Sequence, residues 1–154
     1  MNQSLPVHAD ALVYHHVVAY ADTDAGGVVY HGRYLEMIER ARNHAVASAG
    51  LSYGALLREH DTVLLIHRAQ AAYHAPAFLE DRLQLHSRLT VCSPARSRWV
   101  TDVLREGSLL ASFSVDVVAW SASTRGARIC PAIVLERLAP YLAVPAGGAA
   151  SASA

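Results

Sequence analysis

Between Gly32 and Ala49 the chain runs for eighteen residues without proline, and Tyr34, Ile38, Ala41, Ala45 and Ala49 recur at spacings of three and four. That period puts them on a single helical face, which Met37 widens. Glu36, Arg40 and Asn43 fall opposite, with Glu36 and Arg40 at the spacing of a favourable i,i+4 ion pair. Gly50 follows as a natural C-cap. A helix of this length spans about 27 Å, the depth of a small domain's core. Its inward alanines let a covering layer approach closely, so the fold is constrained to supply one.

The only cover on offer is a sheet. Ahead of the helix, "ALVYHHVVAY" (residues 11–20) has the Val and Tyr content of a strand. Behind it, "LSYGALLREH" reads as a short second helix. Four strand-like runs follow: "TVLLIHRAQAAY", "RLQLHSRLTVC", "SRWVTDVLRE" and "SLLASFSVDVVAW". The second of these puts Leu83, Leu85, Leu89 and Val91 on one face, and the last sets Ala111, Phe113, Val115 and Val117 against Ser112, Ser114 and Asp116. The links "HAPAFLED", "CSPAR" and "REGS" carry Pro, Gly or Ser where turns belong, and short links favour antiparallel neighbours. The expected fold class is α+β, with a five-stranded antiparallel sheet curled around one long central helix. "PAIVLERLAPYL" closes the domain with a small helix. Residues 1–143 are expected to form one domain, and residues 144–154 to be a disordered tail, too poor in large apolar side chains to stay ordered.

A formal net charge of zero, with 17% charged residues, gives no basic stripe for a phosphate backbone, so nucleic acid is not expected as a partner. Cys92 and Cys130 make no CxxC pattern, and the N-terminus has neither a positive start nor an apolar run. No apolar run approaches the roughly 20 residues a membrane helix needs. A cytoplasmic chain without an integral membrane segment is expected.

The chemistry concentrates in "YADTDAGGVVYHGRYLEMIERAR", Tyr20 to Arg42, at the entrance of the long helix. Thioester hydrolysis needs a group that attacks or activates water, and donors that stabilise charge on the carbonyl oxygen. Asp24 offers a carboxylate. Seven residues later His31 marks the helix start, whose unpaired N–H groups and partial positive charge suit the second task. Gly26 and Gly27 permit a tight reversal between them. Asp, Thr and Gly before a helix are equally ordinary capping and turn chemistry, so spacing alone leaves both readings open.

These residues, together with the layout and "YHAPAFLEDRL" further on, resemble the hotdog-fold acyl-CoA thioesterases of the 4-hydroxybenzoyl-CoA thioesterase family, in particular the YbgC-like branch associated with the Tol-Pal cell-envelope system. The likeness runs from about Val13 to Val134. It implies acyl-CoA as substrate and no cofactor. It implies Asp24 as the catalytic carboxylate, acting as nucleophile or as general base on water. It further implies the backbone N–H of His31 or a neighbour as carbonyl donor, the His31 imidazole and Tyr20 hydroxyl as positioning groups, and Tyr30 and Gly32 as substrate contacts. Asp22 is read as a structural loop carboxylate. Family members pair into one continuous sheet, so a homodimer or homotetramer with active sites at the dimer interface is implied. Arg33 stands where some relatives carry a small or amide residue, with a narrower entrance or an added phosphate contact as the expected result.

Coenzyme A brings phosphates, which favour arginine. Arg96 and Arg98 are the candidates, Arg125 and Arg128 the alternatives, and ordinary solvated charge is the competing reading for all four. Trp99, Trp120, Phe78 and Phe113 either line an acyl pocket or fill the core. Nine histidines raise a metal site, with His60, His67 and His74 at equal spacing, yet His67 and His74 diverge at odd spacing on a strand unless a bulge intervenes, as do the adjacent His15 and His16. No metal is expected. Two other functions fit the same fold: a non-hydrolytic acyl-thioester binding or scaffold protein, and a thioesterase acting on acyl carrier protein.

Overall fold

A computed structural model describes residues 12–144. In chain order it contains β1 (Val13–Val17), a 3₁₀ turn at Tyr20–Asp22, α1 (Arg33–Ser48), α2 (Tyr53–His60), β2 (Thr62–Tyr73), β3 (Arg82–Cys92), β4 (Ser97–Arg105), β5 (Ser108–Ser121), β6 (Gly126–Ala127), α3 (Ala132–Leu138) and a second 3₁₀ turn at Ala139–Tyr141. The expected tail lies outside the described residues except for Val144. The sheet is antiparallel in the order β1-β3-β4-β5-β2, and β6 pairs with β5. The five expected strands are joined by the two-residue β6, too short for any periodic signal.

All six apolar positions expected on the inner face of α1 are buried, and they share one cluster with Leu83, Leu85 and Leu89 of β3, Trp99 and Val103 of β4, and Phe113, Val115 and Val117 of β5. The helix ends in a Schellman arrangement: the Gly50 N–H bonds the Ala47 carbonyl at 2.9 Å, the Leu51 N–H bonds that of Val46 at 3.2 Å, and Leu51 is buried beside the helix end. The expected Glu36–Arg40 pair is replaced by Glu36 with Arg33, at 2.8 Å. Arg33 reaches Glu36 because its other nitrogens are already turned toward Asp22. Arg42, assigned to neither face by the pattern, is also buried.

The β2 strand sits at the edge of the sheet, and from Leu65 to Tyr73 every residue is exposed, whichever way it points. A long edge strand with both faces bare leaves a row of backbone groups without a neighbour strand. Its far end, at Tyr73, lies against the start of α1.

Candidate active site

The entrance of α1 is assembled around one buried carboxylate. Asp22, 5% exposed, accepts the Ala19 N–H at 2.9 Å and pairs with His16 Nε2 at 2.8 Å through Oδ2, while Oδ1 faces the Arg33 guanidinium at 3.3 and 3.4 Å. Burial alone would raise its pKa, but the Ala19 N–H, His16 and Arg33 together outweigh burial and hold it below the usual aspartate value. Its backbone carbonyl accepts the Tyr30 N–H at 2.8 Å. Asp22 thus ties the end of β1, the 3₁₀ turn, the returning chain and the first residue of α1. It is the structural carboxylate the sequence suggests. Arg33, expected as an entrance or phosphate group, bridges Asp22 and Glu36.

From this anchor the chain reverses tightly. Thr23 pairs with Val29, the Asp24 N–H bonds the Val28 carbonyl at 3.0 Å, and the Gly27 N–H bonds the Asp24 carbonyl at 3.0 Å. Gly27 has φ +76°, a conformation in which a side chain would be strained. At the tip, Asp24 Oδ1 accepts the Gly26 N–H at 2.8 Å, and the side chain is otherwise open to solvent.

The reversal delivers Tyr30, His31 and Gly32 to the helix start. Gly32 is the N-cap and has no side-chain cap of its own. The Tyr30 ring lies so close over it that a Cβ added there would come within 2.6 Å of the ring. The Arg33 N–H bonds the Tyr30 carbonyl, whereas the N–H groups of His31 and Gly32 meet no acceptor among the described residues. Beside them opens a cleft of ≈ 330 Å³, walled by His31, Tyr34, Tyr73 and His74 with Val28, Val29, Ala75 and Pro76. The Tyr73 hydroxyl donates to the His31 carbonyl at 2.9 Å. Partial burial raises the pKa of Tyr73, and burial likewise raises that of Tyr34, so both phenols remain protonated at neutral pH.

The structure brings His31, Gly32 and Tyr30 together. It leaves Tyr20 81% exposed and Asp24 at an exposed tip, and neither lines the cleft of the single protomer. Arg96 and Arg98 lie elsewhere, at the start of β4. Arg98 grips Asp116 of β5 with Nε–Oδ1 at 2.7 Å and Nη2–Oδ2 at 2.9 Å, and Arg96 reaches the same carboxylate at 3.4 Å. Arg98 is therefore committed within the chain, while Arg96 keeps free donors. Of the alternatives, Arg128 donates to the carbonyls of His60 and Asp61. Trp99 and Phe113 are core, Phe78 is exposed with Arg105 over its ring at 5.9 Å, and Trp120 is half-buried.

Three residues of the site escaped the sequence reading. His16 differs from its exposed neighbour His15 only by strand alternation, which could have signalled that one of the two turns inward. Tyr34 reads from the sequence only as part of the inner helix face, and Tyr73 only as the first residue of "YHAPAFLEDRL". A strand irregularity does fall between Ile66 and Arg68, at His67. Even so, no group of three or more His, Cys, Asp or Glu side chains among the described residues is placed to hold a metal ion. No helix among the described residues is long and apolar enough to cross a membrane.

Comparison with known proteins places this geometry. The model of the thioesterase-like superfamily matches residues 18–140. The chain is 40% identical to the acyl-CoA thioester hydrolase YbgC of Escherichia coli O6:H1 over 73 residues, 47% of this chain and 54% of that protein, so it spans about half the length of that relative. It is 32% identical to the acyl-CoA thioesterase YbgC of Haemophilus influenzae over 100 residues, 65% of this chain and 74% of that protein. Among solved structures, a 1,4-dihydroxy-2-naphthoyl-CoA thioesterase from Synechocystis superposes with a TM-score of 0.77 at 26% identity, covering 83% of this chain and 95% of that one. The curled sheet around α1 is thus the hotdog layer, and the chain belongs to the thioesterase-like superfamily, on its YbgC-like side.

Proposed function

We propose that this chain hydrolyses acyl-CoA thioesters to the free acid and coenzyme A. The observation that carries the reading is the uncapped start of α1, where the N–H groups of His31 and Gly32 meet no acceptor among the described residues, with His31 itself lining a cleft whose other walls come from β2 and the loop that carries Asp24. Donors held at such a point stabilise the oxygen of a tetrahedral intermediate, and each is worth about 10² to 10³ in rate. Water supplies a hydroxyl to the acyl carbon, the carbon–sulfur bond breaks, and the proton leaves with the thiolate. Asp24 serves either as the base that takes the proton from water or as the nucleophile whose acyl intermediate water then opens. His31 and Tyr20 position water or the carboxylate, and Tyr30 and Gly32 contact the acyl portion. Arg96, with donors to spare, is the better of the two arginines for a coenzyme A phosphate.

A second copy of the chain completes the site in this reading. Pairing along the bare β2 edge satisfies its backbone groups, covers its exposed Leu65 and Ile66, and encloses the cleft at which β2 ends. Thiol release from a panel of acyl-CoAs, followed with a disulfide dye, tests the activity. Asp24→Asn is expected to reduce turnover by about 10³-fold or more while the fold survives. Turnover at the wild-type rate refutes the assignment of Asp24, and tight binding of acyl-CoA by the wild type without thiol release refutes hydrolysis in favour of a binding protein.

A further inference from the structure

The cleft wall contains one hydrogen bond that capping and packing do not require. Tyr73, the last residue of β2, donates its hydroxyl to the carbonyl of His31 at 2.9 Å across 42 positions of sequence. The ring is fixed rather than free: it meets Tyr34 edge-on at 5.6 Å and 62°, and Phe113 at 5.6 Å and 86°. Tyr34 and Phe113 are 3% and 2% exposed, so the surface against which Tyr73 rests is the core itself. The acceptor belongs to the peptide that joins His31 to Gly32. A peptide unit is planar, and in its trans form the carbonyl and the following N–H point to opposite edges. Holding the His31 oxygen therefore fixes the direction of the Gly32 N–H. That N–H meets no acceptor among the described residues. A donor on the carbonyl also polarises the amide and strengthens the N–H on its other edge.

We infer that Tyr73 is a positioning residue for the hydrolytic reaction: by gripping the His31 carbonyl it locks the His31–Gly32 peptide so that the Gly32 N–H is presented, pre-aimed and polarised, to the thioester oxygen. The inference rests on the hydrolase reading above and adds to it the group that sets the donor. The Tyr30 ring, packed on the Cα of Gly32, limits the same peptide from its other end. Because a raised pKa keeps the Tyr73 phenol protonated, the clamp persists across the neutral range. The competing explanation is that the bond merely fastens the end of β2 to the helix. A fastener affects stability and leaves the catalytic step alone.

Tyr73→Phe separates these, since it keeps the ring and its packing and removes only the donor. The expected result is a fall in kcat of about five- to twentyfold, smaller than the loss of a whole oxyanion donor, with KM within about twofold because the bond acts on the transition state more than on binding. In ¹⁵N-labelled protein the Gly32 amide proton should shift upfield as the amide loses polarisation. Replacement of Tyr73 by a ring-fluorinated tyrosine, whose hydroxyl is a stronger donor of nearly the same shape, keeps the test decisive should the phenylalanine variant fold poorly. The Gly32 amide proton should then move downfield. A wild-type kcat in Tyr73→Phe, or a Gly32 resonance that does not move in either variant, overturns the inference while leaving hydrolysis intact. A wild-type chain that releases no thiol from any acyl-CoA overturns the reading and the inference with it.

Discussion

Replacing Asp22 with asparagine keeps the shape of the side chain and removes one negative charge from beneath the loop that carries Asp24. The carboxylate accepts from Ala19 and His16 through one oxygen and faces Arg33 with the other. An amide has a single acceptor oxygen. If that oxygen stays with Ala19 and His16, the NH₂ group meets the Arg33 guanidinium, donor against donor. Hydrogen bonds to charged groups contribute roughly 1.5–3 kcal/mol, and the long 3.3–3.4 Å contacts with a partly exposed guanidinium argue for the lower part of that range, so a loss of about 2 kcal/mol is expected. At roughly 2–4 °C per kcal/mol for a chain of this size, the Tm drops by about 4–8 °C at pH 7. The sign of the pH dependence follows from the depressed pKa of Asp22. A carboxylate whose folded pKa lies below its unfolded value contributes stability above the unfolded value of about 3.9, and loses it as the pH falls through the folded one. The gap between wild type and Asp22→Asn should therefore be open at about pH 5 and above and close below about pH 4. Thermal unfolding followed by circular dichroism measures both quantities. A gap that is absent at pH 7, or one that stays open as the wild-type carboxylate protonates, refutes the view that an ionised Asp22 holds the loop.

Two further outcomes follow from the same neighbourhood and its outer face. Gly32→Ala drives a methyl into the Tyr30 ring, which must swing aside, and the resulting displacement of the donor peptide is expected to lower kcat/KM by about ten- to a hundredfold with the fold intact; steady-state kinetics beside a circular dichroism spectrum checks it. Arg98→Ala strips Asp116 of its bidentate partner, leaving Arg96 at 3.4 Å and the charge of Arg68, and is expected to lower the midpoint of chemical denaturation while KM for acyl-CoA stays near wild type. A raised KM with unchanged stability would instead return Arg98 to the phosphate-binding role.

The scaffold was legible because its constraints are local and periodic. The inner face of α1 reads directly from spacings of three and four, and β3 alternates buried and outward positions by parity from Arg82 to Thr90, whereas in β5 the alternation breaks at Leu110 and at Asp116, which parity places outside and the structure buries. The Asp/Gly loop was legible as a turn for the same reason: Gly27 sits at positive φ where only a few residue types are comfortable. Tyr73 is different. Its role depends on β2 lying beside β5 at one particular register, which puts Ala111 opposite Tyr73 and Phe113 diagonally across from it, a relation between residues 42 and 40 positions apart that no window of sequence contains. Arg98 and Asp116 were hidden likewise, since their cross-strand register turns two apparent surface charges into a closed pair.

The same distinction explains why Asp24 is simultaneously the residue most strongly implied by resemblance and the least confined within one protomer. Everything that places its backbone is internal: Asp22 below, the pairing of Thr23 with Val29, the turn at Gly27. Among the described residues, only the Gly26 N–H bonds its carboxylate, two residues along the chain. A catalytic carboxylate must be desolvated and aimed to act on a neutral carbonyl, and the protomer supplies aim for the backbone without supplying cover for the side chain. The unused surface nearest to hand is the β2 edge, exposed from Leu65 to Tyr73 and ending at the cleft. The proposed pairing along that edge links assembly to chemistry: the strand that would join two copies is the strand whose terminal Tyr73 grips the helix-start peptide, so satisfying the edge and enclosing the site become one event.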